Sequence, residues 1–242
     1  MTEELWPGGP QYKDEESVFR IGMDSVLLAH YACSAHLKKI QRAVDLGCGA
    51  GIISVLLALN YPGLHIDGIE IQAPAASLAA ENARLSDISG RLNIIEGDLR
   101  DHRRLFAAGA YDLVVSNPPY YTSESGKSPL NNEAAAARSE QRCTLADVCR
   151  AAGYLTRFSG AFFLVHKPER LAIVIKTLQE HGFEPKRLRF VQFSISSPPN
   201  LMLIESKRGG KPTLRVEAPL ILTDANGSET DEIKSIYHRN AR

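Results

Sequence analysis

The sequence predicts an α/β fold: a mostly parallel seven-stranded sheet with helices on both faces and an antiparallel strand at its C-terminal edge. Three observations predict it. From Arg42 onward, short β-branched runs alternate with longer helix-compatible ones. A glycine-rich turn, "DLGCGAG" from Asp45 to Gly51, joins the first run to the second, and the turn "SPPN" joins the last two strand-like runs. Such alternation implies βαβ units, right-handed crossovers and a sheet covered on both faces.

The elements follow in order. "RAVDLG" reads as a strand entering a glycine turn, "IISVLLALNY" as a buried helix, "LHIDGIEI" as a second strand and "APAASLAAENARLS" as an alanine-rich helix. "RLNIIEGD" is a third strand, followed by a short helix around Arg103 to Ala108 and a fourth strand, "YDLVVSNPP". A polar, aperiodic loop covers 122–142, long enough to be functional or disordered. "TLADVCRAAGYLTRF" then starts a helix with Thr144 as N-cap and Asp147 completing a capping-box pattern. "GAFFLVHK" is a fifth strand, "ERLAIVIKTLQEHG" a helix stopped by Gly182, and "KRLRFVQFSIS" and "NLMLIESKR" pair antiparallel. Ahead of the sheet, residues 1–41 carry an amphipathic helix near Asp24 to Ala35 and form an N-terminal extension; 42–223 form the main domain, and a polar, loosely ordered tail starts at Asp224.

Composition excludes several classes. With 242 residues, 44% hydrophobic and 23% charged, the chain is globular rather than disordered. It has no apolar run of 18 residues and an acidic, polar N-terminus, so neither a membrane span nor a secretory signal is expected and the cytoplasm is the expected location. Cys33, Cys48, Cys143 and Cys149 form no C-x-x-C pair and read as buried free thiols, with no metal expected. The net charge is zero, yet residues 150–215 hold 12 Lys and Arg against 4 Glu, a local excess that suits phosphate.

The chemistry-bearing features lie at strand ends. Gly47, Gly49 and Gly51 make G-x-G-x-G, whereas a dinucleotide fingerprint needs its last glycine where Ile52 stands, which disfavours a dehydrogenase. Asp45 supplies a carboxylate for a cationic group, Glu70 stands near the offset of a ribose-binding acid, and Asp98 closes the third strand where it can accept from an adenine amine. Together these ask for an adenosine with a cationic tail, a description S-adenosylmethionine (SAM) fits. At the fourth strand end, "SNPPYY" follows an apolar run. Pro118 and Pro119 fix φ and hold the residue before each extended, so Asn117 and Tyr120 leave the strand at set angles.

"DLGCGAG", "GIEI", "EGD" and "NPPY", in this order, resemble a class I, Rossmann-like methyltransferase of the amino-group type. With "FRIGMDSVLLAHYA" ahead of the glycine loop and "AARSE" after the long loop, the chain is similar to the bacterial tRNA(Val) adenine N6-methyltransferases. The resemblance implies SAM as cofactor, held by Arg20, Met23, Asp24, Asp45, Gly47, Cys48, Gly49, Glu70, Ile71, Asp98, Leu99 and Asn117. It implies a catalytic set of Asn117, Pro118, Pro119 and Tyr120, with Tyr120 stacking on the base and Tyr121 assisting or packing. The expected partner is tRNA with an exposed adenine, not DNA or membrane. Lys127, Arg138 and Arg142 of the long loop would close over the base, while Lys186, Arg187, Arg189 and the stretch Lys207 to Lys211 would hold phosphates. Competing activities are N5-methylation of a protein glutamine, N2-methylation of a ribosomal RNA guanine, and ligand binding without catalysis. A DNA adenine methyltransferase would need a target-recognition region for which the chain has little room. His166 and the other histidines are given no catalytic role.

Overall fold

A computed structural model describes residues 2–13, 22–35, 37, 39–119 and 143–239. Two short strands, β1 (Thr2–Glu4) and β2 (Gln11–Lys13), form a separate antiparallel ribbon. Helix α1 (Met23–Ser34) precedes β3 (Arg42–Leu46), α2 (Ile52–Asn60), β4 (His65–Glu70), α3 (Ala73–Leu85) and β5 (Leu92–Glu96). A 3₁₀ turn at Leu99–Asp101 runs into the short α4 (His102–Leu105), then β6 (Tyr111–Ser116). After the undescribed 120–142 come α5 (Leu145–Leu155), β7 (Thr156–His166), a 3₁₀ turn at Pro168–Arg170, α6 (Leu171–Glu180), β8 (Phe183–Gln192) and β9 (Pro199–Arg208). Two-residue strands β10 (Arg215–Val216) and β11 (Leu220–Ile221) and the helix α7 (Asp231–Ile236) complete it.

The main sheet runs β10-β8-β9-β7-β6-β3-β4-β5, with β11 also on β8. Strands β3 to β7 pair parallel, and β9 is antiparallel to both β7 and β8. The seven long strands are those expected. The antiparallel one lies one place in from the edge, and β8, flanked by β10 and β11, forms the margin. Strands β3 to β8 therefore all end at one edge of the sheet, where a doubly wound fold gathers its ligands.

Period-two alternation explains why both faces are dry. Leu113, Val115, Phe163 and Val165 point into one core with α1 and α2, and Val114, Phe162 and Leu164 into the other with α5 and α6. Val26, Leu27, Leu28, Ala29, Tyr31 and Ala32 are all buried, so α1 is enclosed rather than merely amphipathic. Its N-cap is Gly22, and Asp24 lies in the first turn instead of capping.

Thr144 and Asp147 make the expected capping box, with Thr144 Oγ1 accepting from the Asp147 N–H and Asp147 accepting from that of Thr144. The helix ends earlier than its sequence implied: Thr156 already belongs to β7, because pairing with β6 outweighs local helix propensity. The loose tail expected from Asp224 is also corrected. Leu222 N–H and Thr223 N–H bond to β8 and the residue after it, Thr230 caps α7, and Ile233 and Ile236 are buried in the core.

Candidate active site

The glycine loop leaves β3 at the carboxyl edge. Gly47 and Cys48 N–H groups both donate to the Ile69 carbonyl, at 2.9 and 3.0 Å, which folds the loop back over β4. Gly47 has φ +75, and a methyl group built there would meet nothing within 4 Å; the loop offers an open cradle. At Gly51, φ +87, a Cβ would lie 3.2 Å from that of Ala79, so this position lets α2 pack closely on α3.

Glu70 joins the loop to the next turn. Its carboxylate accepts from the Gly49 N–H and the Gln72 N–H, each at 2.9 Å, and it is buried. Behind the loop, the Ala50 carbonyl accepts from the Tyr12 hydroxyl and from Asn82 Nδ2, both at 3.0 Å. Asn82 also accepts from the Lys13 N–H at 2.7 Å and donates to the Lys13 carbonyl at 3.1 Å. The N-terminal ribbon thus buttresses the cradle.

Asp45 is fully buried at the root of this loop. Ser54 Oγ donates to its Oδ2 at 2.8 Å, while Oδ1 has no hydrogen-bond partner among the described residues. Burial, aided by the nearby Glu70 charge and opposed by Ser54, pushes its pKa up to about 7. An orphaned acceptor on a destabilised carboxylate favours a cationic ligand group.

Asp98 is differently placed. It caps the 3₁₀ turn and is clamped by Arg100, whose Nε and Nη2 donate at 2.8 and 2.5 Å; the bond to Arg100 holds its carboxyl below the usual range. Ile71 and Leu99 flank the same edge, one exposed and one packed on the core. Cys48 is buried, and burial drives its thiol well up, so it stays protonated.

At the end of β6, Ser116 Oγ donates to the Leu46 carbonyl at 2.8 Å, locking this strand end to that of β3. Asn117 Nδ2 donates to Ser25 Oγ of α1 at 3.0 Å. Ser25 was not singled out in the sequence; the "DS" at the start of α1 was the only local signal. Pro118 is buried and Pro119 exposed. The predicted Arg20, Tyr120, Tyr121, Lys127, Arg138 and Arg142 lie outside the described residues. Met23 and Asp24 start α1, two and one residues ahead of Ser25.

The cations expected to hold phosphates are not gathered at this edge. Arg187 pairs with Glu205 and Glu217, each at 2.9 Å, and lies 4.5 Å over the Tyr31 ring. Arg189 is bidentate to Glu232, at 2.6 and 2.8 Å. Lys186 donates to Thr213 Oγ1 at 2.9 Å and to the Lys211 carbonyl. Lys207 and Arg208 pair with Glu184 and Phe183 at the start of β8, the edge opposite Asn117. His166 is buried and accepts at Nδ1 from the Lys167 N–H; burial lowers its pKa to about 4, so it is a neutral structural group.

The "Methyltransferase small domain" family matches residues 23–141, from α1 through the strand-end motif. A Dickeya chrysanthemi protein named tRNA1(Val) (adenine(37)-N6)-methyltransferase is 29% identical over 216 residues, covering 87% of this chain and 83% of that one. A Parabacteroides distasonis protein of the same name is 30% identical over 191 residues, covering 79% and 78%. The chain belongs to the tRNA1(Val) (adenine(37)-N6)-methyltransferase family. Among solved structures, a predicted O-methyltransferase from Agrobacterium tumefaciens superposes with a TM-score of 0.70 at 21% identity, covering 91% of this chain and 98% of that one. That likeness lies in the fold.

The open cradle at Gly47, the orphaned Asp45 Oδ1 and the buried Glu70 carboxylate suit a ligand with both a cationic end and hydroxyl groups. SAM is such a ligand, and the donor set fits it. No group of three or more potential metal ligands occurs among the described residues.

Proposed function

We propose that this protein transfers the methyl group of SAM to N6 of an adenine in tRNA, within the anticodon loop of tRNA(Val). The observation that carries the reading is Asn117, the amide directly after β6, held to the first turn of α1 by Ser25 in a chain of this family. SAM supplies an electrophilic methyl on a sulfonium.

The chain's own residues supply placement. Asp45, Glu70 and the Gly47 cradle are assigned to the cofactor, with Asp98 at the adenine end. Because Arg100 grips both Asp98 oxygens, adenine there meets a carboxylate already engaged, and Arg100 moves or shares when ligand arrives. The lone pair of an adenine N6 is delocalised into its ring, so the amine must be oriented before it attacks. Asn117 Oδ1 and the Pro118 carbonyl are assigned as acceptors for the two amine hydrogens, turning nitrogen density toward the methyl and favouring the positive charge that develops. An amide suits this role because it accepts without removing the proton. No general base is assigned, since the product nitrogen is acidic and loses its proton after transfer.

Tyr120 is assigned to stack on the base, a contact of about 1–3 kcal/mol. The segment 1–41 is read as the cover of the cofactor site, supported by the Ser25 contact to Asn117. The cytoplasm is the proposed place of action; no helix among the described residues is long and apolar enough to cross a membrane.

The test is to incubate the protein with methyl-labelled SAM, unmodified tRNA transcripts and an extract rich in release factors, then digest and identify the label. N6-methyladenosine in tRNA, lost in Asn117→Ala, is the expected result. Label in N5-methylglutamine or N2-methylguanine overturns it.

A further inference from the structure

Two of the most exposed large apolar residues among the described ones belong to one turn at the carboxyl edge. Phe193 is 60% exposed and Ile195 77% exposed, in the turn between β8 and β9. Since β8 is parallel to β6, this turn projects from the edge that carries Asn117, displaced by three strand positions or ~14 Å at the usual strand spacing. That is on the order of four base-stacking rises along a single strand.

The turn is a firm platform. Ser197 N–H donates to the Ser194 carbonyl at 3.1 Å and the two hydroxyls lie 2.7 Å apart. From below, the Phe193 carbonyl accepts the Thr223 N–H and the Thr223 hydroxyl, each at 2.8 Å. Hydrophobic side chains fixed on an ordered backbone and left in water mark an interaction surface. Cations adjoin it: Lys167 Nζ donates to the Asn200 carbonyl at the base of the turn, at 3.3 Å, and the 3₁₀ turn ending in Arg170 follows β7 on the same edge. An aromatic ring, an aliphatic side chain, three serine hydroxyls and adjacent cations match the stacking faces and phosphates of single-stranded RNA.

We infer that the Phe193–Ile195 turn is a docking platform for the nucleotides flanking the target adenine, with Phe193 stacking on a base and Lys167 meeting a phosphate. The inference rests on the tRNA reading above. In place of the β8 cations, of which Arg187 and Arg189 lie in ion pairs and Lys186 is bonded to Thr213 and the Lys211 carbonyl, it assigns a different set at the carboxyl edge.

The experiment uses the full-length protein, unmodified tRNA transcript and SAM. Filter binding gives the tRNA Kd across a salt series, calorimetry the SAM Kd, thermal unfolding the Tm, and light scattering the mass. Phe193→Ala is expected to raise the tRNA Kd about tenfold with SAM affinity, Tm and mass unchanged, and Phe193→Tyr to restore it. Lys167→Ala is expected to weaken binding and reduce the slope of log Kd against log salt by about one. Unchanged tRNA affinity in Phe193→Ala while the parent still methylates tRNA overturns this inference alone. A dimeric parent made monomeric by Phe193→Ala assigns the turn to a second copy and also overturns it. A parent that methylates no tRNA overturns the proposed function and this inference with it.

Discussion

Asn117 donates its amide N–H to the hydroxyl of Ser25 at 3.0 Å, joining the end of β6 to the first turn of α1 across 92 positions of sequence. An amide held by its nitrogen presents its oxygen in one direction, and that oxygen is the group assigned to the target amine. Under that assignment Ser25 acts by positioning Asn117. Ser25→Ala should lower kcat about tenfold while leaving the KM for SAM within about twofold, since the hydrogen bond orients rather than binds. Asn117→Ala should cost about a hundredfold or more. Steady-state kinetics separate the two, and Ser25→Thr, which keeps a hydroxyl, should recover much of the loss.

With Asp45 assigned to the cofactor, SAM binding should depend on pH. Its folded-state pKa, about 7, lies above the ordinary carboxylate value, so its contribution to stability is fully present below ~4 and is lost as pH rises through about 7. In SAM-free protein the Tm should therefore fall relative to Asp45→Asn between pH 5 and pH 8. A cationic ligand favours the carboxylate, so SAM affinity should rise over the same window in the parent and stay flat in Asp45→Asn. Calorimetry at pH 6 and pH 8 checks the sign, and a parent whose affinity falls with pH would contradict it.

Asn82 holds the N-terminal ribbon and the glycine loop together through three hydrogen bonds, and it is completely buried. Asn82→Ala removes a hydrogen bond from each of the Lys13 N–H, the Lys13 carbonyl and the Ala50 carbonyl, which should cost about 1–3 kcal/mol in urea unfolding. The same change should weaken SAM binding, because the Ala50 carbonyl loses one of its two supports.

Arg187 tests the division between structural and substrate-binding cations. Arg187→Ala strands Glu205, leaves Glu217 to Arg215 alone, and uncovers Tyr31, for a loss of about 1–3 kcal/mol, below the fully buried range because these groups keep some access to water. The tRNA Kd of the folded variant should match the parent. A large rise in that Kd at unchanged Tm would return Arg187 to the RNA surface.

These cases also show what the sequence could and could not disclose. The alternation of strands and helices, the Thr144–Asp147 capping box and the strand-end positions of Asp45, Glu70, Asp98 and Asn117 are local patterns, and each is visible within a short window. Ser25 was invisible because its meaning depends on a partner beyond such a window. Asn82 reads as a polar position in an alanine-rich helix, and only the folded N-terminal ribbon reveals what it binds. The charge excess of 150–215 was real but uninformative: Glu217 and Glu232, which neutralise Arg187 and Arg189, lie outside that window. The "SPPN" turn disclosed that β8 and β9 pair, but not that β9 would enter between β8 and β7.

That insertion has a consequence for how the molecule comes into being. β9 is the last long strand in the chain, yet it alone bridges β7 and β8. As the chain emerges from the ribosome, β7 presents an unpaired margin and β8 has nowhere to attach until β9 follows. Premature termination before Pro199 would therefore forfeit two strands rather than one, and would leave an open edge of the kind that recruits other chains.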